Sequence, residues 1–512
     1  MAERPYRIIY NWDGAPHHYD EHPQSMEVFL QKVYAPLAGT QVDALFWCMG
    51  IHEATWLSDD LPVKGDSVGR VYDSVLAMRD TESLRSMLDG GEDPYAAMVA
   101  RGRELGIDVW PSIRMNDQHF WSIQDLEAMQ RSTAHEMTDL RKEHPEWCLG
   151  EHAPGWCATS WNMAVPEVRA HKLEMISQAC RLADWDGVEL DWQRHAFHLP
   201  ANHEYRLRYA LTDLQRAVRR MTRELGEERG RPFQVAVRVA ATLEACRRTG
   251  YDLETWVEEG LCDILIGGGN SGTDPCFETG EFLRLAEGTG IQVYPGFDFD
   301  SRQQAGRLIP HDRWRDRWFA GMAQGHLDRG AHGVYVFNWH ADETMRRESL
   351  TTIGSTGTLR GLDKAYTAVH RSIGTNPLRE DAERDDRLYG EVPVDLHRTL
   401  TGDGPTFHLS THDPGASGAR LLIEMEHWSP TGDEVAVTLD GAALGPPEVR
   451  NQAAEDPGHP ADVAENSWLV WDLDPAQAAS GDHEIQVVLV KRDPRIRPPL
   501  TVANVEIWTS HD

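Results

Sequence analysis

Eight short apolar runs punctuate the first three quarters of the chain, at residues 7–14, 42–50, 107–117, 186–193, 234–242, 262–269, 291–298 and 333–340. Each is apolar on both faces, the pattern of strands in a sheet covered on both sides. Between them apolar positions recur with helical spacing, as in SMEVFLQKVYAPLAG (25–39), DPYAAMVARGRELG (93–106), PEVRAHKLEMISQACRLA (166–183) and HDRWRDRWFAGMAQGHLDRG (311–330). LRGLDKAYTAVHRSI (359–373) predicts a closing helix, and Gly106, Gly226 and Gly330 stand where helix C-caps are expected. Strand and helix alternating eight times predict an α/β fold, a (β/α)8 TIM barrel over residues 1–376. The extra length falls after strands two, three and eight, at 51–92, 115–165 and 341–357. These are loops on the face where such barrels build their sites.

Past Asn376 the pattern changes. Residues 377–389, PLREDAERDDRLY, read as a charged linker. Residues 390–512 carry short runs with period two, among them TFHLST, ARLLIEMEHW, EVAVTLDG, SWLVWDL, HEIQVVLVKR and TVANVEIWTS, divided by Gly, Pro and Asp turns. They predict an all-β sandwich accessory domain.

The fourth run, DGVELDWQRH (186–195), holds acids where a buried strand should be apolar. Alternate side chains of a barrel strand point inward, so Glu189, Asp191 and Gln193 share the inner face while Val188, Leu190 and Trp192 meet the helices. Asp191 lies near the C-terminal end and is expected to open into the site. Glu189 lies one layer deeper, where an unpaired charge is costly; Arg114 on strand three or Arg238 on strand five is expected to pair with it.

The other strand ends are also polar. Strand one ends in Asn11, Trp12 and Asp13; strand two carries Trp47 and leads to His52 and Glu53. Strand three ends in Arg114, Asn116, Asp117 and His119, and strand four continues into Arg194 and His195. Glu244 follows strand five and Asn270 strand six. Strand seven ends in Asp298 and Asp300, and strand eight in Asn338, Trp339 and His340. Barrel enzymes draw their site residues from several strand ends in this way.

Composition narrows the chemistry. The chain has 512 residues with 82 acidic and 50 basic side chains, a net charge of −32. That charge argues against nucleic acid or an anionic membrane surface as a partner. Six Lys stand against 44 Arg, a skew that reflects the host more than the function. The start, MAERPYRIIYNWDG, lacks a basic segment followed by an apolar one, and no apolar run is long enough to span a membrane. Seven Cys include no CxxC pair, and Cys148 and Cys157, flanking one loop, are read as idle thiols. A cytoplasmic protein is expected, and these features leave a homo-oligomer open.

The 18 Trp, several at strand ends, suit stacking on sugar rings, and Asn, Asp, Arg and His suit sugar hydroxyls. Glycoside hydrolysis needs two carboxyl groups flanking one bond. Asp191 is the first candidate; the second is sought in Asp298, then Glu244, Asp117, Glu53 and Asp300. A catalytic metal is the competing chemistry, through His52, His119, His195 and His340. Strand one, however, has no HxH and the chain no HExxH, so neither a metal nor another cofactor is expected.

DGVELDWQRH resembles the strand-four motif of several sugar-cleaving barrels. Against the D-G-x-D-x-D-x-E of family 18 chitinases, Asp186, Gly187 and Asp191 match, while Glu189 stands for an Asp and Gln193 for the acid Glu. Against the α-amylase superfamily motif, Gly187, Asp191 and His195 match. The nearest resemblance is to the bacterial glycosyl-hydrolase-like family 10 proteins, through SIRMND (112–117), HPEW (144–147), VPEVRAHKL (165–173) and DGVELDWQR (186–194). It spans about residues 6–375 and implies a carbohydrate-active barrel. The expected function is a glycoside hydrolase acting on oligosaccharides or small glycosides. The alternatives are a catalytically silent carbohydrate-binding barrel and a metal-dependent hydrolase or lyase.

Overall fold

The computed structural model describes residues 5–12, 22–120, 122–134, 136–153, 155–268, 277–298, 312–337, 339, 341, 344–369, 391–450 and 466–511; for 298, 312–315 and 344–345 it describes the backbone alone. Eight parallel strands close into a barrel in sequence order. They are β1 (Ile8–Trp12), β2 (Val42–Cys48), β3 (Asp108–Arg114), β4 (Gly187–Asp191), β5 (Gln234–Val239), β6 (Ile264–Gly267), β7 (Gln292–Asp298) and β8 (Val334–Phe337). Each falls within its predicted run.

Strand parity divides the barrel into two cores. Inside, Ile9, Ala44, Phe46, Trp110, Ala236, Ile264, Ile266, Tyr294, Tyr335 and Phe337 pack together. Outside, Tyr10, Leu45, Val188, Leu190, Val235 and Val237 join the larger cluster that includes helix residues. The Asp186–Gly187 pair pins the start of β4. Asp186 accepts the Val109 N–H at 3.0 Å and pairs with Arg231 at 3.2 Å. Gly187 is required by its neighbours, since a Cβ there would stand 2.4 Å from the Trp110 ring and 2.7 Å from the Gln234 carbonyl. The motif's first two residues therefore serve the barrel's packing.

Two helix predictions change. Gly226 lies inside the helix Tyr209–Arg229, where it lets the backbone of Arg231–Phe233 approach, and Gly230 with φ 68° forms the C-cap. The described part of the predicted closing helix, 359–369, is not helical beyond a short turn at Thr356–Leu359: residues Lys364–Thr367 form β9. This strand pairs antiparallel with β18 (Leu500–Ser510) of the C-terminal region.

That region is a sandwich of two antiparallel sheets. One has the order β10 (Val394–Leu396), β18, β12 (Gly418–Glu426), β16 (Asn466–Leu473), β15 (Glu448–Arg450), with β9 on β18. The other runs β11 (Thr406–His412), β17 (Ser480–Lys491), β13 (Glu434–Leu439), β14 (Ala442–Ala443). Their inner faces share one core, with Leu421, Ile423, Val505 and Ile507 against Phe407, Val437, Ile485 and Val487. The barrel helix Asp312–Asp328 docks on this unit through Gly321, where a Cβ would meet the Ala365 carbonyl at 2.3 Å. Trp318 donates to Thr367 at 3.0 Å, and Arg317 lies 5.0 Å over the Trp508 ring. No helix among the described residues is long and apolar enough to cross a membrane.

Candidate active site

Two tiers of inward polar side chains occupy the C-terminal half of the barrel. In the lower tier Glu189 is fully buried. Its Oε2 accepts from Asn11 Nδ2 at 2.7 Å, and the same amide reaches Ser112 Oγ at 3.0 Å. The Tyr335 hydroxyl bears on this carboxyl as well. These partners are neutral. Burial first, and the Asp191 charge second, push Glu189 up to about 7.

The expected Arg partner for Glu189 is absent for a reason of register. Ser112, Glu189 and Ala236 lie side by side, whereas Arg114, Asp191 and Arg238 form the next row up. Arg238 Nη1 therefore meets Asp191, at 3.2 and 3.1 Å from its two oxygens. Asp191 Oδ1 also accepts the backbone N–H groups of Gln193 and Arg194, each at 3.0 Å. Asp191 thus closes the turn that leaves β4 and anchors the neighbouring strand.

Arg114 turns to Asp117, with Nη1 2.6 Å from Oδ2. Asp117 Oδ1 lies 2.9 Å from His119 Nε2 and 3.0 Å from His195 Nδ1. Burial alone would raise the Asp117 carboxyl; the charges of His119 and Arg114 outweigh it and hold it well below the usual range. Burial keeps His195 neutral, down to about 3 against the pull of Asp117. Its Nδ1 stands between a donor, the Gln118 N–H, and an acceptor, Asp117 Oδ1, each at 3.0 Å. His119 is the opening to solvent, with its side chain 49% exposed. Its Nε2 also lies 3.3 Å from Arg194 Nη2, between a donor and an acceptor.

The three guanidinium groups converge on one ring. Arg238 stands 4.3 Å, and Arg114 and Arg194 5.5 Å, from the centroid of Phe337. The ring's negative face offsets part of their mutual repulsion. Lys172 supports the tier from behind by donating to the carbonyls of Ile51 and Arg114, both at 3.2 Å. Burial, then Arg141, lowers its ammonium to about 7.

Of the predicted residues, Asn11, Arg114, Asp117, His119, Asp191, Arg194 and His195 come together here. Others do not. Trp12 and Trp47 pack on each other at 5.9 Å in the outer core, because they take the parity opposite to inward Asn11 and Phe46. Trp339 is fully buried against Phe319, its indole donating to the Arg346 carbonyl at 2.7 Å. Asn116 ties two loops together through Trp161 and Phe197. His52 is buried on Phe120 at 4.9 Å. Glu53 is buried, accepts the Gly65 N–H and is pushed up to about 7 by burial. Glu244 is exposed on the first turn of the helix Leu243–Thr249. Asp298 ends β7, its backbone paired with Phe337; its side chain, and residues Asp13, Asn270, Asp300, Asn338 and His340, lie outside the described residues. Ser112, Tyr335 and Phe337 join the site beyond the predicted set, and Arg238, expected beside Glu189, joins it through Asp191. Their inward parity was the available signal.

Among the described residues no group of three or more His, Cys, Asp or Glu is placed to hold a metal ion. The six described Cys, including Cys148 and Cys157, are free and buried.

No family model and no curated protein matches the chain. Among solved structures it is similar to alpha-L-fucosidase isoenzyme 2 from Paenibacillus thiaminolyticus, with 15% identity, 68% of this chain and 48% of that one covered, and a TM-score of 0.38. It is similar also to a GH36 alpha-galactosidase from Geobacillus stearothermophilus (12% identity, 95% and 56% covered, TM-score 0.34). A chitinase from Bacillus thuringiensis gives 8% identity, 95% and 98% covered, and a TM-score of 0.36. The chain spans about half the length of the first two. Likeness at this level assigns neither substrate nor catalytic residue, and the resemblance to the family 10 proteins remains one of short motifs.

Proposed function

We propose that the chain is a glycoside hydrolase whose reaction takes place at the C-terminal mouth of the barrel, on oligosaccharides or small glycosides inside the cell. One observation carries the reading: a closed barrel whose inward residues change from apolar to densely ionisable at the end where such barrels act. In this reading Asp191 is the carboxylate that faces the developing positive charge of an oxocarbenium-like transition state. Arg238 and the two backbone donors fix its position in advance. The second carboxyl comes from Asp298 at the end of β7. Glu189 acts through Asp191: while protonated it leaves Asp191 as the single negative charge of that strand.

A second reading has an observation of its own. Asp191 is buried and engaged by three donors, as a purely structural strand-end carboxylate would be, which favours a silent sugar-binding barrel. The two part on turnover. Incubation with aryl glycosides of both anomeric configurations and with short oligosaccharides is expected to release sugar from at least one, and Asp298→Asn to abolish that release. No cleavage anywhere in the panel contradicts the hydrolase reading.

A further inference from the structure

Arg194 stands apart among the described charges of the mouth. It is 92% buried by its 8% exposure, yet no carboxylate among the described residues pairs with it. Among the described residues its Nε has no hydrogen-bond partner, and its one polar side-chain contact is the His119 ring at 3.3 Å. The neighbouring guanidinium groups are each held by an aspartate, Arg114 by Asp117 and Arg238 by Asp191. The other acid described in the two tiers, Glu189, is pushed toward its neutral form. Among the described residues Arg194 is therefore the guanidinium of this cluster with no carboxylate beside it. A buried guanidinium without a counter-ion is strongly disfavoured, and a protein that needed only a neutral sugar would gain by replacing it.

We propose that Arg194 completes its pairing with the substrate: the sugar bound at this mouth carries an anionic group, a carboxylate or a sulfate or phosphate ester, gripped by the Arg194 fork beside His119. The inference rests on the hydrolase reading for the sugar and on Arg194 alone for the charge. A planar guanidinium matches the two oxygens of such a group, and the fork rests over the Phe337 ring, 5.5 Å from its centroid. The half-exposed His119 ring places the anion at the solvent-facing side of Arg194.

The test is calorimetric binding of glucuronate, galacturonate, glucose 6-sulfate, glucose 6-phosphate, glucose and galactose, with inorganic sulfate and phosphate alongside, to wild type, Arg194→Gln and Arg194→Lys. Turnover of the p-nitrophenyl glucosides and glucuronides, both anomers, is followed in parallel. At least one acidic sugar is expected to bind tenfold or more tightly than its neutral counterpart, with Arg194→Gln erasing the difference and Arg194→Lys keeping part of it. Which acidic sugar binds identifies the anionic group. Acidic-sugar binding that depends on Arg194 without any turnover upholds this inference and removes the hydrolase reading. Cleavage of neutral glucosides at the rate of glucuronides does the reverse. Inorganic anions that bind as tightly as the acidic sugars overturn the inference. So does wild type that binds neutral and acidic sugars alike, a result that needs no folded variant.

Discussion

Arg238 Nη1 spans both oxygens of Asp191, at 3.2 and 3.1 Å, with both residues buried to within 2% of full enclosure. Removing either partner takes an opposite charge from the other in a low-dielectric interior. Arg238→Met is expected to destabilise by about 3–5 kcal/mol, and Asp191→Asn with Arg238→Met by clearly less than the sum of the singles. A urea-unfolding double-mutant cycle measures this; strict additivity would show that the pair contributes no coupling.

Glu189 makes stability depend on pH. Its carboxyl is held at about 7 in the fold against an ordinary 4.5. Between those values the native chain keeps a proton that the unfolded chain has released. The contribution is complete below about 4.5 and is lost as pH rises through about 7. Glu189→Gln, which retains an acceptor for Asn11, should flatten the fall in unfolding midpoint between pH 5 and 8. A variant with the wild-type slope contradicts the assignment.

The same ionisation reaches catalysis in the proposed function. Above about 7 a second negative charge arises beneath Asp191, so kcat/KM is expected to fall on an alkaline limb near that pH. Glu189→Gln should move or remove the limb. An unchanged limb assigns it to another group.

Gly187 tests the packing half of the strand-four motif. A methyl group there collides with Trp110 and the Gln234 carbonyl. Gly187→Ala should lower stability by about 1–3 kcal/mol or more, and combining it with Trp110→Leu should cost less than the two changes added. Thermal unfolding of the four proteins decides it; a neutral Gly187→Ala contradicts the close approach.

The eight strands were legible because each is a short apolar run between helical patterns, and parity alone directed Asn11, Arg114, Glu189, Asp191 and Arg238 inward. Which arginine meets which acid was not legible. It depends on the offset between neighbouring strands, which lifts Arg114 and Arg238 to the level of Asp191 and leaves Glu189 to neutral partners. Strand-end position alone does not bring a Trp into the site: Trp12 and Trp47 sit next to the inward residues Asn11 and Phe46 and so point outward. The segment around Lys364–Thr367 has helical apolar spacing, but pairing with β18, more than a hundred residues away in sequence, draws it into a sheet. Long-range pairing of that kind overrides local pattern.

The central claim is that Asp191 serves chemistry as well as structure. Its most direct test compares kcat and ligand Kd for wild type and Asp191→Asn on a glycoside that the wild type cleaves, with folding of the variant verified. The account predicts a loss in kcat of about a thousandfold or more with Kd changed by only a few-fold. A folded Asp191→Asn that turns over at a rate close to wild type would contradict it.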